Sequence, residues 1–185
     1  MRYCNYCILF LLILIGCKEP EPRKPVQVKS KSFFKESIDR SKKLLRQESD
    51  LIKSLIKKDS INTYFDSSYG FSYYYEVESK NNTYRPKTDD EVIFNYTIMT
   101  LSNDTIYTID EIGLQRHFID KSQLFPGLRN GLKVMRELDK ITFLFPSSQG
   151  YGYKGDNDKI GPSTPLKTSV QLIKIIQNKD SLNLK

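Results

Sequence analysis

Leu124-Phe125-Pro126-Gly127-Leu128-Arg129-Asn130-Gly131-Leu132-Lys133-Val134-Met135 is followed by Phe143-Leu144-Phe145-Pro146-Ser147, by Gly150-Tyr151-Gly152, and by Ile160-Gly161-Pro162 leading to Pro165-Leu166. The first run predicts a short amphipathic helix over Phe125 to Met135, with Pro126 near its first turn, where a missing N–H costs little. Asp139 to Phe145 predicts a strand, and Leu166 to Ile176 a final strand. Between them Pro146 to Pro165 is a Gly-rich loop of about twenty residues, a length that usually signals function.

Working back from this stretch, Gly70 to Val77 is aromatic and β-branched between turn residues and reads as a strand. Lys80-Asn81-Asn82-Thr83 reads as a turn. Glu91 to Leu101 is a longer strand, and Ser102-Asn103-Asp104 turns it into another at Thr105 to Ile109. Gln115 to Ile119 is short and extended. Several strands and one short helix make an α+β domain, a bent antiparallel sheet half wrapped around that helix. It occupies residues 61–179, with its core at about 86–176.

Ahead of the domain, residues 33–60 carry a long amphipathic helix. Phe34, Ile38, Leu45, Ile52, Leu55 and Ile56 fall near 3- and 4-residue steps, with Lys, Arg and Glu between them. The stripe has two outlets: docking on the domain, which we favour, or pairing with a second copy. Residues 18–32 are rich in Pro, Lys and Glu and cannot bury enough surface to order themselves, so they read as a tether.

The chain opens with Arg2 and an unbroken apolar run from Ile8 to Ile15, too short to span a bilayer. Residues 1–16 therefore read as a signal peptide. Cys4 and Cys7 form a Cys-x-x-Cys inside that segment, so they carry no metal or redox role, and no disulfide is available to the mature chain. The formal net charge of +7 is spread among acids, which speaks against a nucleic-acid partner.

The four pieces quoted first share their order and nearly their spacing with the FKBP-type peptidyl-prolyl isomerases: a Gly-containing helix, an apolar strand ending in Pro-Ser, a Tyr-Gly loop, an Ile-Pro turn and a closing strand. Leu14-Ile15-Gly16-Cys17 resembles the bacterial lipoprotein signal, which implies lipid on Cys17. With the helix and the Ser68-Tyr69-Gly70-Phe71-Ser72-Tyr73 run, the chain resembles the gliding motility-associated FKBP-type lipoproteins. That resemblance implies a folding factor of the bacterial envelope, lipid-anchored and facing the periplasm, in the outer membrane rather than the inner. Its clients would be proline-containing polypeptides, and residues 33–58 would serve a homodimer or an envelope assembly.

No nucleophile–base pair, calcium loop or phosphate-binding loop emerges, and neither a metal nor a cofactor is expected. His117 is the one histidine and suits a packed strand position. Prolyl isomerisation needs no such groups. Rotation about X–Pro is opposed by amide resonance, with a barrier of about 18–20 kcal/mol. The twisted amide has lost that resonance and prefers a dry aromatic cavity with a few donors for its carbonyl.

The resemblance implies the following roles. Tyr96 lines the pocket, Tyr107 is its aromatic wall, and the Tyr151 hydroxyl donates to the substrate carbonyl. Leu124 and Phe125 contact substrate through side chains and backbone carbonyl; Leu128 is the pocket floor. The Ile160 N–H is the second donor. Leu128, Thr108, Gln115 and Thr168 depart from the family's usual residues and imply a more polar, more open pocket. The alternative reading is an FKBP-fold chaperone or adaptor with little catalysis; a structural subunit of an envelope assembly is a third.

Overall fold

The computed structural model describes residues 30–80, 83–121 and 123–178. The signal peptide, Cys17, nearly all of the tether and the Asn81-Asn82 turn lie outside the described residues. The described residues fall into two units that part between Ser37 and Ile38. The first contributes the helical residues 30–37; the second holds everything that follows.

Helix α1 spans Ser30–Lys58, and Lys57 and Lys58 complement the dipole of its last turn. Asp59 ends it. Its carboxylate accepts the Ile61 N–H at 2.9 Å and the Tyr64 hydroxyl at 2.8 Å, turning the chain into the sheet. Within the larger unit Ile52 is 5% exposed, while Ile38, Leu45 and Leu51 stay in solvent. Ile52 and Ile56 share a groove of about 450 Å³ with Phe71, Leu144 and Pro146. Among the described residues no helix is long and apolar enough to cross a membrane.

The strands are β1 (Phe65–Asp66), β2 (Ser72–Val77), β3 (Glu91–Thr100), β4 (Thr105–Tyr107), β5 (Gln115–Phe118), β6 (Lys140–Phe145) and β7 (Leu166–Ile176). All pairings are antiparallel, in the order β1-β2-β6-β7-β3-β4, with β5 also pairing β3. Register shifts at Tyr75/Val77, Ile93/Phe94 and Ile98/Met99 bend the sheet. Its concave face is read directly from the pleat of β3, where Val92, Phe94, Tyr96 and Ile98 alternate inward.

Helix α3 (Pro126–Leu132) packs on that face with Pro126 in its first turn. Glycine lets it lie close: a Cβ on Gly127 would come within 2.5 Å of Phe145 Cδ1 and 2.7 Å of the Gln149 carbonyl oxygen. The sequence predicted one short helix, and the structure adds α2 (Ile109–Ile112), where a strand was expected to run through Ile109. The Thr108 hydroxyl accepts the Glu111 N–H at 3.2 Å, and the Glu111 carboxylate accepts the Thr108 N–H at 2.9 Å. This capping box closes a single turn and stops β4 at Tyr107.

Candidate active site

All seven residues assigned to the pocket meet in one hydrophobic cluster: Tyr96, Phe125, Leu128 and Ile160 within it, and Tyr107, Leu124 and Tyr151 packed against it. β3 delivers Tyr96, the entry of α3 delivers Phe125 and Leu128, and the loop between β6 and β7 delivers Tyr151 and Ile160.

Two groupings are visible inside the cluster. In the first, the Tyr151 ring lies 5.2 Å from the Phe125 ring at 41°, and Phe125 meets Phe145 edge-on at 5.6 Å. Tyr96 stacks on Phe94 at 5.8 Å. Burial first, then Tyr96 and the Asp156 carboxylate, push the Tyr151 hydroxyl up to about 12, so it stays a donor at neutral pH. Burial likewise raises Tyr96. Among the described residues neither hydroxyl meets a hydrogen-bond partner.

The second grouping is polar and centres on Asp156. Its Oδ2 accepts the Tyr107 hydroxyl at 2.5 Å; its Oδ1 accepts the N–H of Ile160 at 2.8 Å and of Asp158 at 2.9 Å. Burial opposes ionisation of Asp156, but these bonds outweigh it and hold the carboxyl below its usual range. The bond to Asp156 is also the main reason the Tyr107 hydroxyl is raised. Lys159 stacks its ammonium over the Tyr107 ring at 4.9 Å and pairs with Glu111. Thr108 is occupied as a helix cap, and the carboxylate beside Tyr107 comes from the loop between β6 and β7.

Three expectations change at this level of detail. The Ile160 N–H, expected as a substrate donor, is already given to Asp156. Of the Leu124-Phe125 pair, expected to offer substrate a backbone carbonyl, the Phe125 carbonyl accepts the Arg129 N–H at 3.1 Å as the first bond of α3. The Phe125 N–H, by contrast, donates to no acceptor among the described residues, a spare backbone donor that the sequence reading did not name. Its helix N-terminal position was the available signal. Third, the pocket is less polar than its departures implied. Thr168 is fully buried with its hydroxyl unpartnered, and Gln115 spends its amide on the Ile112 carbonyl and His117. Leu128 is 0% exposed, a floor covered by its neighbours. Leu124 borders a small hollow with His117 and Leu132. None of the seven residues lines the larger groove beside α1. Burial lowers the pKa of His117, which keeps it neutral and structural.

Comparison with known proteins bears on the fold and the family. A probable FKBP-type peptidyl-prolyl cis-trans isomerase FkpA of Neisseria meningitidis is 30% identical over 101 residues, which cover 55% of this chain and 37% of that relative. A Pseudomonas syringae peptidyl-prolyl cis-trans isomerase shares the fold with a TM-score of 0.57 at 19% identity, covering 74% of this chain and 96% of that one. FkpA of Escherichia coli gives a TM-score of 0.57 at 18% identity and covers 93% of this chain and 81% of that one. Residues 82–173 match the family described as FKBP-type peptidyl-prolyl cis-trans isomerase, and through this domain the chain belongs to that family.

Proposed function

We propose that this domain catalyses cis–trans isomerisation of X–Pro bonds in polypeptides of the bacterial envelope. The observation that carries it is the Tyr151 hydroxyl: protonated, unpartnered, and held by Phe125 and Tyr96 at the edge of a dry aromatic cluster. A prolyl ring seated against Phe125 and Tyr151 leaves water, and its preceding carbonyl meets the Tyr151 hydroxyl and the Phe125 N–H. Both donors favour the twisted amide without moving a proton. Each tenfold acceleration requires about 1.4 kcal/mol of that preference.

The same reading anchors the chain by lipid on Cys17, supported by the Leu14-Ile15-Gly16-Cys17 ending, and directs it to the periplasmic side of the outer membrane. The exposed Ile38, Leu45 and Leu51 of α1 support contact with a second copy or an envelope assembly, of which a gliding apparatus is one. Two observations favour the alternative of a chaperone or adaptor with little catalysis: the covered Leu128 floor and the occupied Ile160 N–H.

The test is cis-to-trans relaxation of a Leu-Pro-Phe peptide by the full chain beside its Tyr151→Phe variant. Catalysis that falls several-fold in the variant, with an unchanged melting temperature, supports the isomerase. A folded wild type that never exceeds the uncatalysed rate rejects it in favour of the adaptor.

A further inference from the structure

A buried carboxylate on α1 reaches the loop that carries Tyr151. Glu48 is 5% exposed. Its Oε2 accepts the Ser147 N–H at 2.8 Å and its Oε1 the Ser147 hydroxyl at 2.7 Å. A carboxylate is costly to bury unless it is hydrogen-bonded, and here both bonds come from one residue. Ser147 opens the 3₁₀ turn Ser147–Gln149 that follows β6. Its own carbonyl accepts the N–H of Gly150 at 3.0 Å and of Gly152 at 2.9 Å, the two amides that flank Tyr151. The Gly152 carbonyl then accepts the Ser163 N–H at 2.8 Å, tying the segment to the far end of the loop.

From this path we infer that Glu48 is a positioning residue for Tyr151. Docked α1 fixes Ser147, Ser147 fixes the backbone on both sides of Tyr151, and the phenol is thereby aimed across Phe125. Lifting α1 off the domain releases that aim, so the helix governs a site it does not touch. The assignment rests on the isomerase reading above. A merely structural clasp would affect stability alone, whereas a positioning residue acts through Tyr151.

The experiment uses the full chain as wild type, Glu48→Ala, Glu48→Gln, Tyr151→Phe and the Glu48→Ala/Tyr151→Phe double variant. Three quantities are read: kcat/KM on the Leu-Pro-Phe peptide, the thermal midpoint, and amide hydrogen exchange at Gly150 and Gly152. Glu48→Ala is expected to lower kcat/KM about tenfold, the scale of a lost charge-assisted bond, with faster exchange at both glycines. Glu48→Gln keeps one acceptor oxygen and is expected to recover part of that loss. The double variant is expected to be no slower than Tyr151→Phe alone, because residues acting as one unit are not additive. Losses that multiply in the double variant, or unchanged activity and exchange beside a lowered midpoint, overturn the inference. Should Glu48→Ala fail to fold, Glu48→Gln decides by the same readouts. An inactive wild type removes the isomerase reading, and glycine exchange then decides alone whether Glu48 orders the Tyr151 segment.

Discussion

Replacing Asp156 by alanine removes three hydrogen bonds at once, and their surroundings set the cost. The Ile160 N–H belongs to a residue only 2% exposed, so losing its acceptor leaves a buried donor unpaired. That costs about 1–3 kcal/mol. The Tyr107 bond is nearer solvent and has a second acceptor in Asp158 at 3.1 Å, so it adds about 0.5 kcal/mol after screening. A loss of about 2 kcal/mol is expected, or about 6–10 °C in melting temperature for a domain of this size. Tyr107→Phe deletes only the hydroxyl and should cost half as much or less. Because both variants break the same 2.5 Å bond, the double variant should fall short of the sum by about 0.5 kcal/mol or more. The assay is thermal and urea unfolding of all four proteins at neutral pH. Strict additivity, or an Asp156→Ala cost under about 0.5 kcal/mol, would refute Asp156 as the hub of the loop.

Four further outcomes follow from the same geometry. Gly127→Ala places a methyl 2.5 Å from Phe145 Cδ1 and 2.7 Å from the Gln149 oxygen, and should destabilise by about 2–3 kcal/mol by urea titration. Thr168→Val removes a buried hydroxyl that has no partner and should be neutral or stabilising by about 1 kcal/mol in the same titration. For pH dependence the signs differ. Tyr151 is raised from 10.0 to about 12, so its contribution is complete below pH 10 and fades as pH rises through the folded value; kcat/KM should stay flat from neutrality to pH 10. Asp156 is depressed below 3.8, so its contribution is present above pH 3.8 and lost as pH falls through the lower folded value, which acid unfolding curves of wild type and Asp156→Ala will show converging.

What could be read before folding was whatever repeats locally. β3 and β7 declared themselves because inward residues alternate along β3 and along β7 from Leu166 to Leu172. α3 was marked by Pro126 and the spacing of Leu128 and Leu132, and the pocket aromatics were named because family motifs fix them. Helix α2 escaped because four residues hold no periodicity, although Thr108 and Glu111 spell a capping box. β1 escaped because two residues make a strand only by pairing with β2. Asp156 and Glu48 were illegible for a different reason. Tyr107 lies 49 residues from Asp156 and Ser147 lies 99 from Glu48, and no local pattern announces a hydrogen bond across that distance. The occupied Ile160 N–H was hidden because backbone donors leave no trace in residue identity, whereas the spare Phe125 N–H could be read only from its place at the entry of α3.

The sheet is completed by its last strand. β7 lies between β6 and β3 and pairs with both along most of its length. Until residues 166–176 have been synthesised, β2 and β6 on one side and β3, β4 and β5 on the other are two ribbons with no ladder joining them. A hairpin or ribbon alone is marginal in water. Folding of the sheet must therefore wait for residues 166–176, which makes its rate dependent on long-range pairing.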